Sequence, residues 1–498
     1  MNLETLFSQM IQELLERDFN KVAPPGALLS LDFLVHSDNV YGLEGPVGIY
    51  TSYIKEKERL LSHEIDKKLS ANIRIVEEQF TRVQGTIKIP NIIICTNLDE
   101  ELLISFKDSN SLNENIHLWG TEKIKRLLSK YKDILRKYNE IFFVGRLKEE
   151  LGFLTRNPDR RTEQIKYNNS KNIRYLKESF VNGHLAIFLG AGVSISAGIP
   201  GWKDLVSKVY LKSLRIKGIP LGELENTPDL YWNLSEGINS TNLLIKTKYS
   251  KYLLGDDFIN LIKEVLYAES NTSSSLIDAI VELCESKEGK LRGVVTYNFD
   301  DLLERNLKAK NIPSCSVWNA MPIVDRKFLS IYHVHGYIPI DKQVDSQIVF
   351  SEDDYHKQYE DVYSWSNIIQ INFFRDNNCL FVGTSLLDPN IRRLLDIAKK
   401  TSTNTRHYVI QKRIYSQEHI QNIMTNIKDI NGTISDISAE THFIKRKYQY
   451  IDPNEETLRN IMLTEELLIE KDYESLGVKV IWVDSFDEIV TIIRLISM

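Results

Sequence analysis

The chain has 498 residues, enough for roughly two or three domains and a large core. With 42% hydrophobic residues, 26% charged residues and a net charge of −6, its composition is that of a globular protein, with no charge excess of the kind a general nucleic-acid binder carries. Four cysteines, Cys95, Cys284, Cys315 and Cys379, stand far apart with no Cys-x-x-Cys pair, which argues against a zinc ribbon and a disulfide framework and fits a reducing cytoplasm.

The first segment, MNLETLFSQMIQELLERDF, predicts an amphipathic helix over Leu3 to Arg17, with Leu6, Met10, Ile11, Leu14 and Leu15 on one face. Its acidic residues make it unlike a signal peptide. No run of about 18 apolar residues occurs anywhere, so no membrane partner is expected. Short apolar segments follow at Leu28 to Val35 and Val47 to Tyr50, then a charged helix at Ile54 to Leu69. Strands are expected at Asn91 to Thr96 and Ile116 to Trp119, and Thr121 is placed as the cap of a helix that turns Ile124, Leu127 and Leu128 inward. Residues 1–150 therefore read as a small α/β domain.

Within it, DFLVHSDNVYGLEGPVGIYTSY resembles the core of restriction-endonuclease-like domains. That family holds a divalent metal with an Asp and a following Glu-x-Lys. Asp32 matches the first position, but Tyr50 and Ser52 stand where the Glu and Lys would be. Tyrosine is a poor ligand for a hard cation and serine carries no charge. Asp32 is then better read as a turn or capping residue. Residues 1–150 carry 20 Lys and Arg against 23 Asp and Glu, so no phosphate-binding surface stands out. The resemblance implies a degenerate, nuclease-like domain with a sensing or assembly role.

Residues 151–172 read as a linker, polar throughout from Arg156 to Asn172, followed by a helix at Ile173 to Asn182. Next, HLAIFLGAGVSISAGIPGW joins a strand, Leu185 to Leu189, to Gly190, Ala191, Gly192 and Ser194, with Gly198-Ile199-Pro200 just beyond. Glycines at a strand end let backbone N–H groups approach a phosphate. They equally suit a tight turn with no ligand, and the full Gly-x-Gly-x-x-Gly spacing is absent. Residues from about 205 to 285 read as a helical insertion. Strands then recur at Gly293 to Thr296, Ser330 to Val334, Cys379 to Val382, His407 to Ile410 and Val478 to Val483, mostly separated by helices. That alternation predicts a Rossmann-like doubly wound parallel sheet with ligands at the carboxyl ends of its strands.

Those ends collect small and polar residues. They carry Asn298 and Asp300 after one strand, His333 and His335-Gly336 after the next, and Gly383-Thr384-Ser385 after a third. Each has a plainer reading. Asn298, Asp300 or Asp301 could cap the helix that follows, His335 could be a turn histidine, and His333 with His335 on one strand face would permit a metal pair lacking a third ligand.

In this order the four clusters resemble the sirtuin catalytic domain, in the branch of bacterial sirtuin-like domains found in antiphage defence. The likeness covers about 173–498. It implies that NAD+ is the ligand, with the glycine loop (Gly190, Ala191, Gly192, Ser194, and Ile199-Pro200 beyond) and Gly383 on the pyrophosphate. It places Thr384 and Ser385 at the adenosine ribose, Asn298 and Asp300 at the nicotinamide end, and His335 as base. Deacetylating sirtuins carry paired Cys-x-x-Cys motifs for zinc, Asp-Phe-Arg after Gly-Ile-Pro, and Gln before Asn-Ile-Asp. This chain has no such cysteine pairs, Gly201-Trp202-Lys203 and Tyr297. No zinc or other cofactor is therefore expected, and NAD+ hydrolysis without an acyl-lysine acceptor fits better than deacylation. The expectation is a cytoplasmic NAD+ glycohydrolase that depletes cellular NAD+ in abortive infection. It would be held in check through a homo-oligomer, a regulatory protein partner or a phage-derived trigger, with nucleic acid not among its partners. The alternatives are a non-catalytic NAD or nucleotide sensor, a protein deacylase or ADP-ribosyltransferase, and, opposed by Tyr50 and Ser52, a nuclease.

Overall fold

The computed structural model describes residues 3–24, 31–55, 62–82, 89–110, 112–134, 136–138, 158–222, 243–320, 327–401, 406–425 and 454–498. Contacts divide the chain into two units, Met1–Gln164 and Ile165–Met498. Among the described residues no helix is long and apolar enough to cross a membrane, and all four cysteines are free thiols.

The first unit opens with α1 (Leu3–Asp18), whose apolar stripe buries Leu6, Met10, Ile11, Leu14 and Leu15 as its spacing predicts. Its strands are β1 (Val22–Ala23), β2 (Phe33–Val35), β3 (Asn39–Val40), β4 (Leu43–Glu44), β5 (Val47–Ser52), β6 (Asn91–Thr96) and β7 (Ile116–Trp119). Five of them form a sheet in the order β1-β2-β5-β6-β7, antiparallel from β1 to β5 and parallel from β5 to β7. The strand expected over Leu28 to Val35 is described only from Leu31, and its pairing is confined to Phe33–Val35.

Of the charged helix expected at Ile54 to Leu69, Ile54 and Lys55 are not helical and residues 56–61 lie outside the described residues. Ile54 still belongs to the strand end, where the Asn97 side chain accepts from its N–H at 2.7 Å and donates to its carbonyl at 2.9 Å. The helix, α2 (Ser62–Arg82), buries Ile65, Leu69, Ile73 and Val76 at helical spacing. In α3 (Glu100–Ser109) and α4 (Thr121–Leu128) one cap differs too. Gly120 is the N-cap of α4, and Thr121 is its first helical residue, donating to the Leu98 carbonyl at 2.8 Å.

In place of a linker up to residue 172, Pro158–Val181 is one continuous helix, α5. Residues 151–157 lie outside the described residues. A polar surface was read as loop, yet the hidden side of α5 carries Ile165, Leu176 and Phe180, all buried.

The second unit contains α6 (Gly192–Ile195), α7 (Trp202–Ile216), α8 (Leu243–Leu254), α9 (Phe258–Tyr267), α10 (Ser275–Glu285), α11 (Leu302–Ala309), α12 (Glu352–Glu360), α13 (Trp365–Asp376), α14 (Pro389–Thr401), α15 (Glu455–Ser475) and α16 (Asp487–Ser497). They surround β8 (Leu185–Leu189), β9 (Leu291–Thr296), β10 (Ser314–Val317), β11 (Leu329–His333), β12 (Asn378–Val382), β13 (His407–Lys412) and β14 (Val478–Val483). These seven strands are all parallel, in the order β10-β11-β9-β8-β12-β13-β14.

Every residue of β8 is buried, because both faces of the sheet are covered. One face presents Ile187, Val294, Ile331 and Leu380 to α10 and α16, and the other presents Phe188, Val295, Phe381 and Val409 to α13 and α14. β10 was not expected. It is an edge strand whose Ser314, Cys315 and Ser316 are only half-buried, so no apolar run marks it.

Candidate active site

The strand order reverses at β8. From it the chain builds β9, β11 and β10 to one side and β12, β13 and β14 to the other. The crevice between the ends of β9 and β12 is the switch point where open α/β sheets bind ligands. The Gly190 to Ser194 loop, Asn298 and the Gly383 to Ser385 loop leave the sheet there, after β8, β9 and β12.

The glycines serve loop-against-loop packing. The Gly190 and Gly192 N–H groups donate to the Val382 and Gly383 carbonyls, both at 2.9 Å. A Cβ on Gly190 would stand 2.5 Å from the Gly383 carbonyl oxygen and 2.7 Å from Thr384 Cβ. Gly383 has φ +69°, and a Cβ there would lie 2.5 Å from the Val193 nitrogen. Both readings of this loop thus have substance: the glycines are required by the turn, while the Ala191 N–H has no protein partner among the described residues. Beyond α6, the buried Ile199 donates from its N–H to the Ser194 carbonyl at 3.2 Å, and half-buried Pro200 follows.

Four of the expected residues meet directly. The Asn298 carboxamide donates from Nδ2 to the Gly190 carbonyl at 3.1 Å and to Ser194 Oγ at 3.2 Å. Ser194 Oγ donates to Asp300 Oδ2 at 3.1 Å. Both Nδ2 protons of Asn298 are therefore engaged, while Oδ1 has no protein partner among the described residues and remains an acceptor. Ser194, Asn298 and Asp300 line a small cavity together with Thr296, Glu304 and His333. Burial pushes the Asp300 carboxyl up to about 6, although the Leu302 N–H and the Ser194 hydroxyl both bond to it.

The capping readings now separate. Asn298 makes no cap bond. Asp300 Oδ1 accepts from the Leu302 N–H at 3.1 Å at the start of α11 while Oδ2 faces Ser194, so it does both jobs. Asp301 is structural. Its carboxylate takes Arg305 Nε at 3.0 Å and the Ile340 N–H at 3.1 Å, and lies 3.1 Å from the Tyr267 hydroxyl.

The two histidines do not share a face. β11 ends at His333, and Gly336 takes φ +108° immediately after His335. The His333 ring bonds to the Asn298 carbonyl and to Glu304, whereas the His335 ring has Tyr297 at 5.0 Å and Tyr355 at 5.9 Å between centroids. A metal pair has no geometry here. His335 is buried, and its Nε2 has no partner. Burial lowers its basicity against the opposing pull of Asp388, so the imidazole is neutral at pH 7. Among the described contacts none joins His335 to Asn298; the two lie at the ends of neighbouring strands, linked through the Tyr297 main chain.

Thr384 Oγ1 accepts from the Leu386 N–H at 3.3 Å, and its carbonyl accepts from Gln411 Nε2 at 2.9 Å. Ser385 is exposed, and its carbonyl accepts from the Tyr473 hydroxyl. Sequence reasoning missed Glu304 and Tyr355 as neighbours of the site, while Asp388 belongs to the polar cluster that follows the Gly383 to Ser385 strand end. Glu304 lies one helical turn into α11, on the face turned towards β11. Only its wrapped helix position, not a motif, signals it. Asp388 stands in Asp388-Pro389-Asn390, which reads as a helix start. It does cap α14 through Oδ1 while Oδ2 accepts from the Tyr355 hydroxyl at 2.9 Å.

In the first unit two of the three nuclease-like positions, Asp32 and Ser52, are engaged in hydrogen bonds. Asp32 Oδ2 accepts from the Thr51 N–H at 2.6 Å and the Thr51 hydroxyl at 2.8 Å, which locks the segment before β2 onto β5. Ser52 Oγ accepts from buried Asn72, and Tyr50 is half-buried.

A SIR2-like domain family matches residues 292–431. The chain is 24% identical over 337 residues to the NAD(+) hydrolase ThsA of Enterococcus faecium, an alignment covering 65% of this chain and 57% of that relative. A solved structure described as "Structural Basis for the Mechanism and Regulation of Sir2 Enzymes" aligns with 17% identity over 48% of this chain and 84% of its own, at a TM-score of 0.24. The matched region holds Asn298, Asp300, His335 and the Gly383 to Ser385 loop. The residues that match a SIR2-like domain, 292–431, all lie in the second unit.

Proposed function

We propose that the second unit is an NAD+ glycohydrolase that cleaves the nicotinamide–ribose bond. The observation that carries the reading is the cavity at the carboxyl ends of β8 and β9, lined by Ser194, Asn298 and Asp300, the last two within the residues that match a SIR2-like domain. Similarity to a relative named as an NAD(+) hydrolase supports it.

The chemistry suits these groups. Nicotinamide is a good leaving group because its ring nitrogen is cationic in NAD+, and departure with the bonding pair leaves it neutral. Positive charge builds on the ribose, as in glycoside hydrolysis. Water adds its oxygen to the ribose carbon and loses one proton, giving ADP-ribose, nicotinamide and H+. Asn298 Oδ1, the free acceptor, can orient the water or the carboxamide N–H. Asp300 can accept from the carboxamide once ionised. His335, neutral with an open Nε2, can take the proton. The Ala191 N–H is the loop donor left for the pyrophosphate. Thr384 and Ser385 would face the adenosine ribose.

An NADase of this kind exhausts its own cell unless restrained. The wider reading is therefore a regulated antiphage effector, triggered through oligomerisation, a protein partner or a phage product. The test is NAD+ loss and nicotinamide release by the purified chain, alone and with lysate from phage-infected cells. Asn298→Ala and His335→Ala should each lower turnover about a hundredfold or more. Bound NAD+ with no turnover under either condition would point to a sensor instead. Turnover undiminished in both variants would refute the assigned roles.

A further inference from the structure

One buried titratable couple beside the cavity has no part in that chemistry. His333, fully buried at the end of β11, and Glu304, on α11, both line the cavity. His333 Nδ1 lies 3.1 Å from the Asn298 carbonyl oxygen, and its Nε2 lies 2.5 Å from Glu304 Oε1. A carbonyl oxygen and a carboxylate are both acceptors, and a neutral imidazole has a single N–H. A neutral imidazole beside a carboxylate can therefore donate only one of the two bonds, and both together need a second donor. Either the ring donates from both nitrogens or the Glu304 carboxyl donates to Nε2. In both cases the Nδ1–H is committed to the Asn298 carbonyl. Without Glu304 the ring loses the partner that holds its Nε2 edge, and it is free to turn its Nδ1 away from the carbonyl.

The couple is itself held. The Ser316 hydroxyl donates to the same Glu304 oxygen at 3.2 Å, and the Tyr337 ring lies 4.2 Å from the imidazole. Asn298 lies past the last residue of β9, where the sheet pairing has ended. What fixes its backbone is its own N–H donating to Thr296 Oγ1 at 3.0 Å and its carbonyl accepting from His333.

We propose that His333 and Glu304 form a positioning couple: Glu304 holds the His333 ring in place, and the ring's Nδ1 edge holds the Asn298 backbone so that its carboxamide stays on Gly190 and Ser194 at the cavity. The proposal rests on the hydrolase reading for its effect on rate and on the geometry alone for its effect on Asn298.

The experiment compares Glu304→Gln, Glu304→Asp and Glu304→Ala in the full chain, by NAD+ turnover and by crystal structures of each variant. A Gln amide can donate to Nε2 and so preserve the Nδ1–H tautomer. An Asp carboxyl is withdrawn by about 1.5 Å. The Asp and Ala variants should lose about tenfold or more in kcat with a smaller change in KM, and their Asn298 carboxamide should leave Gly190 and Ser194. The Gln variant should restore both, with kcat within about threefold of wild type. Should Ala fail to fold, Asp against Gln carries the comparison. Asp and Ala variants that turn over like wild type with Asn298 in place overturn the proposal, as does a Gln variant as impaired as Asp. A wild-type chain with no turnover removes the hydrolase reading alone, and the couple is then judged by where Asn298 lies in the variant crystals.

Discussion

The Asp300 carboxyl is buried at the floor of the crevice, and burial raises it to about 6 against an unfolded value near 3.8. The folded state therefore binds this proton more tightly than the unfolded state. The group favours folding most below about pH 4, and that advantage is lost as pH rises through 6, a cost of about 3 kcal/mol once both states are ionised. Asp300→Asn removes the ionisation and keeps an acceptor for the Leu302 N–H. Its stability relative to wild type should rise by about 1 kcal/mol between pH 5 and pH 7.5 in urea unfolding. A difference that stays flat with pH would contradict a raised Asp300. His335 moves the other way. Its lowered basicity puts the acid limb of NAD+ turnover below pH 6.5. The limb assigned to His335 should persist in Asp300→Asn, measured as a pH–rate profile. Its disappearance in that variant would reassign it to Asp300.

At the scale of elements, the parallel strands were legible because β8, β9, β12 and β14 are apolar runs buried on both faces. β10 was not, because an edge strand of Ser314, Cys315 and Ser316 carries no such run. α5 was hidden for the converse reason. Its polar surface dominates the sequence, and of its buried apolar residues Ile165 lies about three to four turns from Leu176 and Phe180. In the site, residues adjacent in motifs were legible and those brought in from elsewhere were not. Gly190, Asn298 and Gly383 announce themselves at strand ends. Glu304 reaches His333 only because α11 folds back along β11, and no spacing encodes that. The two glycine loops are where element geometry is tightest. Gly383→Ala must place a Cβ 2.5 Å from the Val193 nitrogen at a φ of +69°. It should cost about 2 kcal/mol or more of stability and push the loops apart, weakening NAD+ binding more than tenfold. Urea midpoints and calorimetric titration measure the two effects. An Ala variant with wild-type values in both would mean that the loops can separate freely.

At the scale of the whole molecule, the boundary of the second unit is an energetic question that α5 answers. Ile165 is buried with Phe188 and Phe381 against the sheet, and the Asn169 side chain bonds both ways to Trp482, donating to its carbonyl at 2.6 Å and accepting from its N–H at 3.2 Å. A chain cut at Ile173, where the polar stretch ends, loses both contacts and should be less stable by about 2–4 kcal/mol than one cut at Pro158. Thermal unfolding of the two fragments decides this. Equal stabilities would show that the first turns of α5 contribute nothing. The fragment beginning at Pro158 then isolates the regulatory question, because it keeps every residue assigned to NAD+ chemistry and lacks the first 157. If the first unit restrains or assembles the enzyme, this fragment should differ from the full chain in basal NAD+ turnover or in mass by light scattering. Identical turnover and identical mass would remove the first unit from the regulation of the hydrolase and leave the restraint to be sought within the SIR2-like domain itself.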